Sequence, residues 1–344
     1  MIKRQYILWS LLVLFLGFSL PLAGFLFVEN LLRVSRFADD GPFVYVSEGG
    51  AASIAVPIKH MPLSLLFVGD IMLGRGVEES VINNAGGDFS FLFEKADFIK
   101  KADVAFGNLE GPVADAGNDL GRIYSFRFKP GAFTALLSAG FDVFSVANNH
   151  AADWGKEAFE QNIFRLKNEN ILPVGGGANF EDAGRVKIIK KNGIKTGFLG
   201  FSDVGPEWFE AGENTAGILL ASRNYFSLLI KKAAKECDVL VVSLHFGEEY
   251  EKSANSRQKM LARLAVDDGA KIVVGHHSHV AQEVEEYNGG IIAYSLGNFI
   301  FDQNFSEETM EGLALEVFWE NGRIAGFEKH KIRINQFFQP ELVK

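Results

Sequence analysis

Ile272-Val273-Val274-Gly275-His276-His277-Ser278-His279 decides how the chain is read: a short β-branched run, one glycine, then three imidazoles within four residues. The apolar run has the composition of a buried strand. Three histidines so close together are costly to bury without a metal or polar partners. The same grammar recurs on either side. Residues 63–68 end in Gly69-Asp70, residues 104–106 in Gly107-Asn108-Leu109-Glu110, and residues 143–146 in Ala147-Asn148-Asn149-His150. Residues 239–244 run into His245-Phe246-Gly247-Glu248-Glu249, and residues 291–294 into Ser295-Leu296-Gly297-Asn298. Between them, residues 154–168, 222–236 and 256–267 space their apolar side chains for helices with one buried face. The expectation is one α/β domain over residues 62–336. Its chemistry should lie beyond the carboxyl ends of the strands, where loops and helix N-termini converge.

Composition narrows the chemistry. The 344 residues carry 43 acidic against 34 basic side chains, a formal charge of −9, so no excess of positive charge is left to neutralise a phosphate backbone. Nucleic acid is therefore not an expected partner. A single cysteine, Cys237, excludes an intramolecular disulfide and a thiolate cluster of the zinc-finger kind. Any metal must sit on His, Asp, Glu or Asn.

The N-terminus reads differently. Lys3 and Arg4 precede residues 7–28, which carry no charge and are long enough as a helix to cross about 30 Å of hydrocarbon. This is read as a transmembrane anchor or, since Leu20-Pro21-Leu22-Ala23-Gly24 could precede a cleavage site, a signal sequence. Residues 1–6 are then a short cytoplasmic tail, 29–61 a linker and 337–344 a C-terminal tail. The main domain is expected outside the cytoplasm, with the cell membrane as a partner.

Imidazole nitrogens mixed with carboxylate and amide oxygens suit manganese, iron or zinc better than calcium or magnesium. His277 and His279 can point into one cavity, and Asp70, Glu110, Asn149 and His245 could reach it from neighbouring strand ends. One or two divalent ions held there would activate water and clamp an anionic oxygen, and His150 could protonate a leaving group. Each residue also has a plainer reading. Asp70 could cap a turn, Asn148 and Asn149 could cap a helix, Glu110 before Gly111-Pro112 could be solvated, and His245 could be a satisfied core residue. Gly74-Arg75-Gly76 lacks the rest of a dinucleotide fingerprint and reads as a turn. Gly175-Gly176-Gly177 reads as a flexible loop, and Ser202 lacks the spacing of a nucleophile elbow. Glu248-Glu249-Tyr250-Glu251 is a solvated loop or a contact for a cationic group. Arg75, Arg122 and Arg127 are the candidate anion clamps.

Six motifs together carry a resemblance. Val68-Gly69-Asp70-Ile71-Met72, Gly107-Asn108-Leu109-Glu110-Gly111-Pro112, Asn148-Asn149-His150-Ala151-Ala152-Asp153, Leu244-His245-Phe246-Gly247, Gly275-His276-His277-Ser278-His279 and Tyr294-Ser295-Leu296-Gly297-Asn298 resemble, in order, the CapA/PgsA family of capsule or poly-γ-glutamate biosynthesis proteins. That family is similar to the calcineurin-like metallophosphoesterases. The resemblance implies a metallophosphatase-like four-layer α/β/β/α sandwich, here preceded by one N-terminal transmembrane helix. It implies Asp70, Glu110, Asn149, His245, His277 and His279 as metal ligands, Glu110 as the bridging carboxylate and His150 as general acid. Two departures stand out: Met72 occupies a histidine position, and Asn108 an aspartate position, so one metal site could be weak, remodelled or rescued by His276. The function so implied is synthesis, export or trimming of an anionic polymer such as poly-γ-glutamate, beside membrane synthase subunits, through a metal-dependent hydrolase-like site. The alternatives are a non-catalytic accessory or scaffold subunit and a surface metallophosphoesterase.

Overall fold

The computed structural model describes residues 62–343. Its first sheet is built on β1 (Leu63–Ile71), followed in parallel by β2 (Val104–Leu109), β3 (Val143–Ser145) and β4 (Leu172–Val174). On the other side of β1 the antiparallel strands β14 (Glu311–Glu320), β15 (Arg323–Ile334) and β16 (Pro340–Leu342) complete it, and β13 (Asn298–Ile300) runs beside the end of β1. The second sheet has a parallel centre of β7 (Ile194–Ser202), β9 (Val239–His245), β10 (Ile272–His276) and β12 (Gly290–Ala293). Antiparallel β6 (Lys187–Lys191) and β11 (Val284–Tyr287) close its edges, and β5 (Gly176–Gly177) pairs with β8 (Gly217–Ile218) apart from both sheets.

Among the described residues six helices connect them: α1 (Arg75–Ala85), α2 (Pro130–Ala139), α3 (Gly155–Asn168), α4 (Phe180–Gly184), α5 (Tyr225–Ala233) and α6 (Ser256–Asp267). The alternation of side chains along each strand sorts the core into three layers. Leu63, Leu65 and Phe67 of β1 meet Val239 and Val241 of β9 and Ile272 and Val274 of β10 in a layer made of strand residues from both sheets. The opposite face of β1 offers Leu66 and Val68 to Val77, Leu136 and Ile163 of α1, α2 and α3. Val242 and Leu244 of β9 likewise meet Ile230 of α5 and Leu261 and Ala265 of α6. The order is thus helix, sheet, sheet, helix. Each fully buried Val, Leu or Phe contributes about 1.5–3 kcal/mol of transfer free energy, so the two sheets are held by the layer that also fixes their strand ends relative to each other.

Four expectations change. Gly74-Arg75-Gly76 is not a turn: Gly74 caps α1, and the Asp302 carboxylate, far along the chain, accepts the Gly76 N–H at 3.0 Å where the helix dipole favours a negative charge. Gly175-Gly176-Gly177 is buried rather than a flexible loop, because a Cβ on Gly175 would lie 2.6 Å from the Ala147 methyl and only glycine lets these segments touch. Asn148 does not cap α3, which starts at Gly155; its amide donates to the Leu109 carbonyl at 2.8 Å and its oxygen accepts the His150 N–H at 3.2 Å. Finally, the stretch expected as a tail after residue 336 contributes β16, paired to β15 through Ile332, Arg333 and Ile334. Among the described residues no helix is long and apolar enough to cross a membrane; residues 7–28, like the tail 1–6 and the linker 29–61, lie outside them.

Candidate metal centre

The layer between the sheets turns polar at the carboxyl ends of its strands. In β2 the inward positions are Val104 and Phe106, followed in the same alternation by Asn108 and, just past the strand, Glu110. In β9 they are Val239 and Val241, then Ser243 and His245; in β10 they are Ile272 and Val274, then His276. Asp70 breaks the alternation of β1, and the pairing of β1 with β2 shifts register between Phe67 and Asp70. That irregularity re-aims the aspartate toward the second sheet. Glycine makes it possible: a Cβ on Gly69 would lie 1.9 Å from the Gly297 carbonyl oxygen, and the Asp70 N–H donates to that same oxygen at 2.9 Å. His277 and His279 follow β10 with φ of 94° and 58°, left-handed conformations that non-glycine residues adopt at a cost and that cluster at functional sites.

Asp70 is the centre of the cluster. Oδ1 accepts the Asn108 amide at 2.8 Å and lies 3.2 Å from His276 Nδ1; Oδ2 accepts the His277 N–H at 3.2 Å and lies 3.3 Å from His279 Nδ1. Burial disfavours its charge, but the neighbouring His276 and His279 rings outweigh that and hold Asp70 well below the usual carboxylate range. Burial and the nearby Asp70 charge push Glu110 well above it. His279 is held up at about 9: burial alone would lower it, and the Glu110 charge with the Asp70 hydrogen bond overcomes this. Burial, reinforced by His279, takes His277 down to about 3, and burial with the His277 charge pushes His245 well below its ordinary value. His245 is engaged on both nitrogens: Nε2–H donates to Asn149 Oδ1 at 2.8 Å, and Nδ1 faces the Asn108 amide at 3.4 Å.

These residues fit a divalent cation. Asp70 and Glu110 are both fully buried, and Glu110 Oε1, His277 Nδ1 and both ring nitrogens of His276 have no hydrogen-bond partner. Two carboxylates and these unpartnered imidazole nitrogens buried together are unfavourable without a compensating cation. Asp70, Glu110 and His279 offer ligand atoms within 4.8 Å of one another, and a mixed oxygen and nitrogen shell suits manganese, iron or zinc. Met72 supplies nothing comparable: it is buried, and its sulfur accepts the Gly74 N–H at 3.1 Å.

A cleft of about 190 Å³ adjoins the cluster, lined by His150, His279 and Glu249 together with Tyr124, Phe126 and Tyr250. His150 stacks on Phe126 at 3.9 Å between ring centres, and its Nδ1–H donates to Asp153 Oδ2 at 2.6 Å. This leaves Nε2 facing Glu110 Oε1 at 3.8 Å. The three arginines diverge. Arg75 lines the cleft, ion-paired to Asp302 and 5.0 Å above the Phe126 ring; Arg122 stands 3.9 Å behind Asp153; Arg127 lies 3.6 Å over Trp154. The structure therefore brings Asp70, Glu110, Asn149, His150, His245, His277 and His279 around one site.

Three further residues were not singled out as site residues by sequence reasoning. Asn108 bridges Asp70, Glu110 and His245. Asn298 receives His279 Nδ1–H at 3.0 Å, and Asp153 orients His150. For Asn108 the signal was present, as the next inward position after Val104 and Phe106. For Asn298 the signal was its place in the polar cluster that ends residues 291–294, but its role depends on β13 lying beside β1.

Fold and site define a two-sheet α/β protein with a metal-suited centre at the carboxyl ends of its strands. Residues 64–303 match the family described as bacterial capsule synthesis protein PGA_cap, and the chain belongs to it. It is similar to the PGA biosynthesis protein CapA of Bacillus subtilis, with 38% identity over 76% of this chain and 69% of that one. The capsule biosynthesis protein CapA of Bacillus anthracis is 35% identical over 77% of this chain and 67% of that protein. Among solved structures, the calcineurin-like phosphoesterase YfkN from Bacillus subtilis superposes with a TM-score of 0.46 at 16% identity, covering 79% of this chain and 90% of that one.

Proposed function

We propose that this protein works at the outer face of the cell membrane in making, exporting or trimming an anionic polymer such as poly-γ-glutamate, through a metal-dependent hydrolase-like site. The observation that carries the reading is the burial of Asp70 and Glu110 beside His279 at the strand ends, a grouping without an economical purpose in a purely structural core. Membership of the capsule synthesis family and the names of the Bacillus relatives support the polymer. Asp70, Glu110 and His279 would hold the ion, with His277, His245 and Asn149 beside it. When bound, such an ion supplies Lewis-acid polarisation of an anionic oxygen and lowers the pKa of water.

The protein's own residues do the rest. Asp153 accepts Nδ1–H of His150 and fixes the ring so that Nε2 lines the cleft, where the imidazolium form would hand its Nε2 proton to the departing group and keep Nδ1–H on Asp153. Phe126 holds the same ring by stacking. Arg75 places a positive charge on the cleft wall for an anionic substrate group. Residues 7–28 anchor the chain, and membrane synthase subunits are its neighbours there.

The test is replacement of the native copy in a polymer-producing cell by Asp70→Asn and, separately, His150→Ala. The expected result is altered polymer yield or chain length at unchanged protein level; wild-type polymer from both variants contradicts the reading. Met72 and Asn108, which stand where donors are expected, favour a second reading, a non-catalytic accessory subunit. It expects both variants to keep function and deletion of residues 7–28 to abolish it.

A further inference from the structure

The cleft beside the metal cluster is small and its charges do not balance. Its volume of about 190 Å³ is below the roughly 300–1,000 Å³ of clefts that take drug-sized ligands, so it admits a residue-sized group rather than a length of chain. Besides histidines, its charged side chains are Arg75, Asp302 and Glu249. Arg75 and Asp302 satisfy each other: the carboxylate accepts Nε–H at 3.1 Å, Nη2–H, and the Gly76 N–H at 3.0 Å. Glu249 is left over. It is exposed, and the cations that follow it in the chain are engaged elsewhere, Lys252 with Glu308 and Arg257 with Asp203. The excess negative charge opposes a ligand that is only anionic and attracts one that also carries a cation.

Two further observations suit an ammonium at Glu249. Tyr124, Tyr250 and Phe305 line the same cleft and are all exposed, and the faces of aromatic rings attract cations. The loop that carries the carboxylate is also held in place. The Tyr250 N–H donates to the Ser278 carbonyl at 2.8 Å, Gln282 donates to the Glu251 carbonyl at 2.7 Å, and Gln303 donates to the Tyr250 hydroxyl at 3.2 Å. A ligand therefore meets Glu249 without having to order its loop.

We propose that the cleft holds the amino end of a chain: a terminal residue whose primary ammonium sits at Glu249, among the rings of Tyr124, Tyr250 and Phe305, and whose neighbouring carboxylate meets the Nη1 edge of Arg75 that Asp302 does not take. It rests on the polymer reading above and narrows it. In a γ-linked glutamate chain every unit carries an α-carboxylate, but only the amino-terminal unit carries an ammonium on the same carbon. The interior of such a chain brings only anions to Glu249, so the same carboxylate that attracts the end repels the rest. Glu249 is thus the residue that selects the amino end.

The test is calorimetric titration of the full-length chain, at neutral pH, with tetra-γ-glutamate whose amino end is free or acetylated. Wild type is expected to bind the free-amino oligomer roughly 5- to 10-fold more tightly, the worth of one exposed ion pair with an aromatic contribution. Glu249→Gln should lose that preference by weakening the free-amino oligomer alone, and should bind the acetylated one at least as well as wild type does, because a repelling charge has gone. Glu248→Gln, a neighbouring exposed carboxylate, should match wild type. One oxygen of Glu249 also lies within 4.8 Å of ring nitrogens of His277 and His279; a carboxylate that served the metal cluster instead would weaken both oligomers when removed. Equal affinity for the two oligomers in wild type, a preference that survives in Glu249→Gln, or weakening of both oligomers by that variant overturns this proposal and leaves the polymer reading standing. Binding of neither oligomer by wild type overturns both.

Discussion

Asp153 does not line the cleft, yet it decides what His150 can do. With Nδ1–H committed at 2.6 Å to the buried carboxylate, the ring keeps one orientation, so that in the imidazolium form Nε2–H is the group aimed at a leaving group, as a general acid requires. Asp153→Asn should therefore lower the rate of any hydrolysis the site performs about as much as His150→Ala does, by roughly 10²–10⁴-fold. The double variant should be no worse than either single one, and polymer chain-length analysis in cells carrying the three variants checks this. Far from the site, Asp182 supports the fold electrostatically. Burial works against its charge, but Lys167, the Ala178 N–H and Lys187 prevail and hold its carboxyl at about 2. A group depressed in the folded state adds stability above its unfolded value, and that contribution disappears as pH falls through the folded value. Asp182→Asn should cost about 1 kcal/mol at pH 7 once solvent screening of a half-exposed pair is allowed for. The difference from wild type should vanish between about pH 4 and pH 2, as denaturant melts across that range would show.

Much of the element-scale structure was legible because a buried strand announces itself twice, by β-branched composition and by an abrupt polar end. All six runs read from the sequence are strands, and residues 256–267 form α6 with the expected bounds. What escaped reading depends on distant partners. α1 was hidden because its N-terminal anion, Asp302, arrives from the far end of the chain. β14 and β15 were hidden because their outward faces mix Glu316, Glu328 and His330 with half-buried apolar residues, which blurs the alternation. The site shows the same division. Asn108, Glu110, His245 and His276 follow from the period of two along their strands, whereas Asp70, legible as the polar end of its run, is aimed at the site by a register shift that no local pattern announces. That shift gives a prediction: Gly69→Ala should destabilise by about 2–4 kcal/mol and impair metal uptake, since the added methyl meets backbone it cannot displace. Gly193→Ala, at a positive φ but in open space, should cost only about 1 kcal/mol and leave metal uptake intact. Thermal unfolding and metal analysis of the two variants separate them. Truncation after residue 336 removes β16 and bares the β15 edge, so it should lower the unfolding temperature and promote aggregation in light scattering.

At the scale of the whole molecule, two sheets meeting face to face explain why an acidic chain can concentrate carboxylates and imidazoles in one place. The apolar layer fixes one sheet against the other, so Asp70 and Glu110 from the first are held against His245, His277 and His279 from the second, and the repulsion between the acids is offset by their surroundings. The account stands on the claim that a cation completes that balance. The measurement that addresses it most directly is metal content per full-length chain, by elemental analysis after reloading with manganese, iron or zinc, for wild type beside Asp70→Asn/Glu110→Gln. These amide replacements keep shape and remove both buried charges. At least one equivalent in wild type, lost in a variant that still unfolds cooperatively, is the predicted result. Wild type holding no more metal than the variant with any of the three ions would contradict it.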